Sequence, residues 1–170
     1  MKELILGGAR SGKSHFAEQQ ANAAQRDVLY IATAQAFDNE MRERIARHKH
    51  DRPVHWRTIE EPIYLAQVIE ENATDNGVIL VDCLTLWLSN LLCMDDDALF
   101  SQQKQCLLDG LSSFSGQLIM VSNEVGQGVI PDNALARRFV DEAGWLHQAL
   151  ATQCDKVTFV TAGIAQQLKP

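Results

Sequence analysis

No apolar run in the chain is long enough to cross a bilayer. The longest, such as Val78–Val81 and Leu118–Val121, fall far short of the ~20 residues a spanning helix needs. An export signal is also missing from the start, because Met1-Lys2-Glu3 puts a charge pair where a signal peptide carries its apolar core. The expectation is a cytoplasmic protein without a membrane span. Cysteine is scarce: Cys83, Cys93, Cys106 and Cys154 stand far apart with no C-x-x-C pair. That excludes the usual zinc knuckles and a disulfide framework, and reads as buried or incidental thiols. Basic charge is in deficit, with 15 Lys and Arg against 22 Asp and Glu and a net charge of −7. Nucleic-acid binding normally leaves a basic footprint, so the partner expected is a small molecule. No linker, internal repeat or low-complexity tract interrupts the 170 residues, which fit a single domain over 1–170.

What is present is an alternation of short β-rich runs with helical stretches. The runs Glu3–Leu6, Val28–Ala32, Val54–Ile59, Val78–Asp82, Leu118–Ser122 and Val157–Thr161 read as strands, several of them continuously apolar as strands covered on both faces are. The clearest helix is Asp132 to Gln153, where Leu135, Phe139, Leu146 and Leu150 mark one face. Such alternation predicts an α/β fold with a mainly parallel sheet flanked by helices. Ligands gather at the carboxyl ends of the strands in such sheets.

The first strand runs into Gly7-Gly8-Ala9-Arg10-Ser11-Gly12-Lys13-Ser14, followed by the helical run Ser14–Ala24. This is the P-loop pattern G-x-x-x-x-G-K-S in its required strand–loop–helix setting. Glycines allow the backbone to wrap closely, so that its N–H groups and the helix N-terminus face phosphate oxygens. Lys13 is then the side chain that reaches the β- and γ-phosphates, and the Ser14 hydroxyl is a Mg²⁺ ligand. A Gly-rich turn with an exposed lysine is the plainer alternative. Arg10 reads as a surface residue within the loop.

Asp82 ends the strand run Val78–Val81, the position from which a P-loop enzyme holds its Mg²⁺ shell. It equally suits a helix N-cap before Leu84–Leu92, and both roles are compatible. Asn123 and Glu124 follow Leu118–Ser122, with Gly126 and Gly128 beyond; these read as a loop approaching a ligand or as a plain turn.

Asp38 to Lys49 is highly charged and helical in composition, with Met41, Ile45 and His48 on its one apolar stripe and Pro53 closing it. Pattern alone favours a packed or surface histidine at His48. His48, His50 and His55 do not form a convincing zinc set, because i, i+2 spacing on a helix splays ligands apart and no fourth ligand is evident.

These motifs, taken together, resemble the bifunctional adenosylcobinamide kinase/adenosylcobinamide-phosphate guanylyltransferases of the cobalamin pathway. The resemblance runs in order through the P-loop, Tyr30-Ile31-Ala32-Thr33-Ala34-Gln35, and Asp38-x-Glu40-Met41-x-x-Arg44-Ile45-x-x-His48-x-x-x-Arg52-Pro53. It continues through Trp56-Arg57-Thr58-x-Glu60, Val81-Asp82-Cys83-Leu84-Thr85 and Ser122-Asn123-Glu124-Val125-Gly126-x-Gly128-Val129-Ile130-Pro131, and ends with Asn133-x-Leu135-Ala136-Arg137. The additional histidines His50 and His55 depart from a single-histidine pattern. The resemblance implies a RecA-like P-loop fold, a homotrimer and two activities, which a chain of 170 residues leaves to share one site. The first is phosphorylation of adenosylcobinamide by ATP or GTP; the second is transfer of GMP from GTP through a histidine to give adenosylcobinamide-GDP. The guanylylated histidine falls on His48. Thr33, Arg52 and Glu61 are implied nucleotide contacts, Arg52 reading also as a helix-end cation, while Asp82 and Ser14 are the implied Mg²⁺ ligands. A monofunctional small-molecule kinase, or a nucleotide-dependent regulatory module, is the alternative reading of the same P-loop.

Overall fold

The computed structural model describes residues 1–36, 39, 42, 43 and 53–170. Seven strands form one sheet: β1 (Lys2–Gly7), β2 (Val28–Ala32), β3 (Arg57–Glu60), β4 (Val78–Asp82), β5 (Gln117–Asn123), β6 (Lys156–Thr161) and β7 (Ile164–Lys169). Their order across the sheet is β3-β2-β4-β5-β1-β6-β7, and every pairing is parallel except β6 with β7. The helices among the described residues are α1 (Lys13–Ala23), α2 (Leu65–Asn72), α3 (Leu84–Cys93), α4 (Asp97–Ser113) and α5 (Ala134–Gln153).

Alternation along the central strands separates two cores. Ile5, Tyr30, Leu80, Ile119 and Val121 point to the face packed by Ala17 and Ala21 of α1. Leu4, Leu6, Ile31, Ile79, Val81, Leu118 and Met120 point to the opposite face, covered by α2 to α5. Burial on both faces explains why β2 and β4 read as unbroken apolar runs. In α3, Leu84, Trp87, Leu88, Leu91 and Leu92 are buried along with Thr85 and Asn90. A helix so nearly apolar all round has to lie inside the domain. Trp87, fully buried, satisfies its indole N–H on the Ile63 carbonyl at 2.8 Å. Two helices start on side-chain caps, Asp96 accepting from the Leu99 amide and Asn133 from the Ala136 amide, both at 3.0 Å.

The expected strand at Val54–Ile59 is corrected to Arg57–Glu60: the Trp56 amide bonds back to the Pro53 carbonyl at 3.0 Å, so the chain turns before it can pair. On α5 the apolar stripe is Ala143, Leu146, His147 and Leu150; Leu135 is 52% exposed in the first turn, beyond the part that packs on the sheet. Strand β7 was not foreseen. It is exposed along almost its whole length and closes a two-residue hairpin at Ala162 and Gly163, with φ of 52° and 78°. Positive φ at both positions is the twist-matched hairpin geometry, usually signalled by Asn-Gly or Asp-Gly. No helix among the described residues is long and apolar enough to cross a membrane.

Candidate active site at the carboxyl ends of the strands

The loop after β1 sits under steric control. A Cβ on Gly7 would lie 2.5 Å from the Val160 carbonyl oxygen and 2.6 Å from Ser11 Oγ. Only glycine fits there. Gly12, at φ 96°, precedes α1 without a side-chain cap, leaving the first N–H groups of the helix directed at the loop. Ser11 belongs to a tight turn, its amide bonded to the Gly8 carbonyl at 3.3 Å, and its carbonyl accepts from Gly163 in the β6–β7 hairpin at 2.7 Å. Ala9 and Arg10 are exposed, with Arg10 at φ 56°. Lys13 is only 6% exposed, and its ammonium donates to the Gly8 carbonyl at 3.1 Å. The plainer alternative, a Gly-rich turn with an exposed lysine, is set aside: Lys13 is drawn back across its own loop. Ser14 follows it, half-buried, in the first turn of α1.

Asp82 lies at the end of β4 on the α1 face. Its Oδ2 accepts from the Tyr30 hydroxyl at 3.0 Å, while Cys83, not Asp82, occupies the N-cap position of α3. The cap reading of Asp82 is thus set aside. Thr33 is fully buried, donating through Oγ1 to the Cys83 carbonyl at 2.7 Å and accepting from the Cys83 amide at 2.9 Å. Asn90 donates to the Thr33 carbonyl at 2.7 Å. Thr33 thus ties the ends of β2 and β4 together beneath the site. Glu61 is half-buried and uses Oε1 to accept from the amides of Ile63 and Tyr64, at 2.8 and 2.7 Å, at the entry to α2. His48 and Arg52, with His50, lie outside the described residues. His55 is exposed.

Beyond β5, the Glu124 amide bonds to the Gly7 carbonyl at 3.0 Å. The Glu124 carboxylate accepts from Gly126 and Gln127 at 2.8 and 3.2 Å, so it organises its own turn. On the other face of the sheet, Ser122 and His147 form a buried pair, Oγ to Nε2 at 2.7 Å. Burial pushes the His147 imidazole below its ordinary pKa, against the opposing pull of Glu124. Burial, followed by the negative charge of Asp82, pushes the Cys83 thiol up, keeping it protonated and unreactive. Tyr30, Thr85, Asn90 and His147 were missed in the sequence. His147 left a signal there, a polar residue on the stripe of Ala143, Leu146 and Leu150.

Among the described residues no three or more His, Cys, Asp or Glu side chains cluster as a metal site. Mg²⁺ does not require one. It is commonly held by one or two carboxylates with substrate phosphates and water, and the expected ligands Asp82 and Ser14 stand at the end of β4 and in the first turn of α1.

Comparison with known proteins places this geometry. A Pyrococcus horikoshii OT3 protein of known structure superposes at a TM-score of 0.58 with 8% identity, covering 99% of this chain and 85% of the other. A prototypical ATPase from the type III secretion system of pathogenic bacteria superposes at 0.55 with 11% identity, covering 98% of this chain and 57% of that one. These likenesses bear on fold alone and agree with the mainly parallel, RecA-like P-loop sheet expected above. In sequence, the chain is 54% identical over 169 residues to the bifunctional adenosylcobalamin biosynthesis protein CobP of Pseudomonas aeruginosa, covering 99% of this chain and 98% of that protein. It is 37% identical to the bifunctional adenosylcobalamin biosynthesis protein CobU of Escherichia coli K12 and 39% identical to that of Salmonella typhimurium LT2, covering 99% of this chain and 100% of each. The family described as CobU, cobinamide kinase / cobinamide phosphate guanyltransferase, matches residues 3–168, and with this full-length agreement the chain belongs to that family.

Proposed function

We propose that the chain phosphorylates adenosylcobinamide with ATP or GTP and then transfers GMP from GTP to the new phosphate, giving adenosylcobinamide-GDP. The observation that carries this reading is the P-loop itself, with Lys13 buried against Gly8 and α1 uncapped at Gly12, in a chain of the CobU family.

In the kinase step the α1 N-terminus and the Lys13 ammonium offset triphosphate charge. To reach the phosphates, Lys13 exchanges its bond to the Gly8 carbonyl for phosphate oxygens. Ser14 and Asp82 are the residues that would hold Mg²⁺, which when bound supplies further charge compensation on the phosphates. Tyr30 holds one Asp82 oxygen, Oδ2.

In the second step we assign the nucleophile to His48. A neutral imidazole nitrogen attacks the α-phosphorus of GTP, the bond to the β-phosphate oxygen breaks, and pyrophosphate leaves. The phosphate of the first product then attacks that phosphorus and the P–N bond breaks, returning His48. To Arg52, four residues on in the sequence, we assign the offsetting of charge on the phosphoryl oxygens, and to Thr33 and Glu61 the support of the nucleotide through the segments they order. The test is incubation with α-labelled and γ-labelled GTP, with and without adenosylcobinamide. Label from the α position is expected on protein without the corrinoid, and γ-label on the corrinoid. A chain that transfers γ-label but never carries α-label is a monofunctional kinase; one that transfers neither is a regulatory module.

A further inference from the structure

Asn123 is the last residue of β5, the strand that separates the P-loop strand β1 from the Asp82 strand β4. Its register partner on β1 is Gly7, the first residue of the loop, and Asp82 pairs with Val121, two residues earlier on the same strand. Side chains two apart on a strand share a face. Ile119 and Val121 belong to the core under α1, as do Val78 and Leu80 of β4. Asn123 and Asp82 therefore project to the same face, the one that carries Lys13 and Ser14. The backbone at Asn123 is already satisfied, since its amide donates to the Thr85 hydroxyl at 3.2 Å. Its side chain is not: Oδ1 is buried and has no hydrogen-bond partner among the described residues. A buried amide oxygen left without a donor is destabilising, and the residue stands at the strand end beside the phosphate loop. A ligand group bearing a donor completes it.

Resting on the kinase reading above, we infer that Asn123 is a catalytic residue of phosphoryl transfer, whose Oδ1 accepts a hydrogen bond from the attacking hydroxyl and whose Nδ2 donates to the terminal phosphate. An amide suits this task because it offers an acceptor and a donor on one rigid plane. A carboxylate there would repel the triphosphate, and an apolar residue would orient nothing. In the step so aligned, the hydroxyl oxygen bonds to the terminal phosphorus and the bond from phosphorus to the β–γ bridging oxygen breaks. The nucleoside diphosphate leaves with that electron pair, and the hydroxyl proton passes to solvent water. Asn123 bonds to neither proton nor phosphorus covalently; it contributes alignment.

The experiment compares full-length wild type with Asn123→Ala and Asn123→Asp, following γ-label from GTP into adenosylcobinamide and, without corrinoid, into inorganic phosphate. Nucleotide affinity, thermal unfolding and α-label on protein are measured alongside. For Asn123→Ala, kcat for both γ-transfers is expected to fall about 100-fold, the scale of losing one positioned hydrogen-bonding group. Unfolding temperature should stay close to wild type, and GTP affinity and α-labelling should fall far less than kcat for γ-transfer, because His48 chemistry does not use the attacking hydroxyl. Asn123→Asp should be no better than Asn123→Ala, although it keeps the shape. Wild-type kcat in Asn123→Ala, or a loss confined to GTP affinity or thermal stability, overturns the inference and leaves the proposed function standing. A wild-type protein that transfers γ-label to neither acceptor overturns the kinase reading and this inference with it.

Discussion

The Tyr30 hydroxyl donates to Oδ2 of Asp82 at 3.0 Å, from the neighbouring strand and on the face where α1 packs. Tyr30 is 2% exposed, and its ring stacks on Trp56 with centroids 6.4 Å apart. The phenol is thus held by packing and fixes the carboxylate in turn. Tyr30→Phe keeps the packing and frees the carboxylate to rotate. The Mg²⁺ concentration giving half-maximal phosphoryl transfer is expected to rise several-fold, with kcat at saturating Mg²⁺ near wild type. Asp82→Asn should shift the same curve further and lower its plateau. Equal response of both variants and wild type to Mg²⁺ would remove Asp82 from the metal shell.

Lys13 gives a second prediction. Its ammonium is buried against the Gly8 carbonyl, so Lys13→Ala removes a loop contact and, on the proposed function, a phosphate ligand. Turnover of both half-reactions is expected to fall by at least about 100-fold. The lost charge-assisted bond would cost about 1.5–3 kcal/mol of stability at most, which thermal unfolding would register as a modest shift. Lys13→Met, which keeps the apolar stem, should recover stability without recovering turnover. Restored turnover in Lys13→Met would show that the ammonium is not the working group.

The P-loop and two central strands were legible in the sequence. The P-loop could be read because its chemistry demands a fixed spacing, and β2 and β4 were read to the residue because burial on both faces leaves an unbroken apolar run. Other parts left no such trace. β7 is an exposed edge strand whose hairpin turns on Ala162 at φ 52°, a residue type that does not announce a left-handed conformation. Tyr30 sits among ordinary strand residues, and its bond to Asp82 arises from the pairing of β2 with β4; the Thr85 hydroxyl, in α3, meets the Asn123 amide through the placing of β5 beside β4. Strand order is a long-range property, invisible to local pattern. The Thr33 side chain shows the converse: a family motif marks the position, and only the fold shows its hydroxyl tied to Cys83.

The Ser122–His147 pair predicts a pH dependence of stability. Burial lowers the His147 pKa from 6.5, so the folded chain refuses a proton that the unfolded chain accepts. Stability is therefore full above pH 6.5, declines as pH falls below it, and levels off once pH is below the folded value. His147→Gln keeps a polar partner for Ser122 and cannot titrate. Urea midpoints between pH 7.5 and 4.5 should fall less steeply in His147→Gln than in wild type. Parallel curves would mean that His147 is protonated alike in both states.

The final prediction concerns His48, which lies outside the described residues and is assigned from the His48-x-x-x-Arg52-Pro53 block. His48→Ala is expected to abolish α-label on the protein and guanylyl transfer to the corrinoid phosphate. It should spare much of the kinase step, because there the corrinoid hydroxyl attacks phosphorus directly and needs no protein adduct. The adduct in wild type should behave as a phosphoramidate, lost in mild acid and persistent in alkali, unlike a serine or carboxylate ester. His50 and His55 stand close in sequence and require the same substitution. Label mapped to either of them, or full labelling of His48→Ala, refutes the assignment. Loss of γ-transfer equal to loss of guanylyl transfer in a folded His48→Ala would instead make His48 part of the nucleotide site common to both steps.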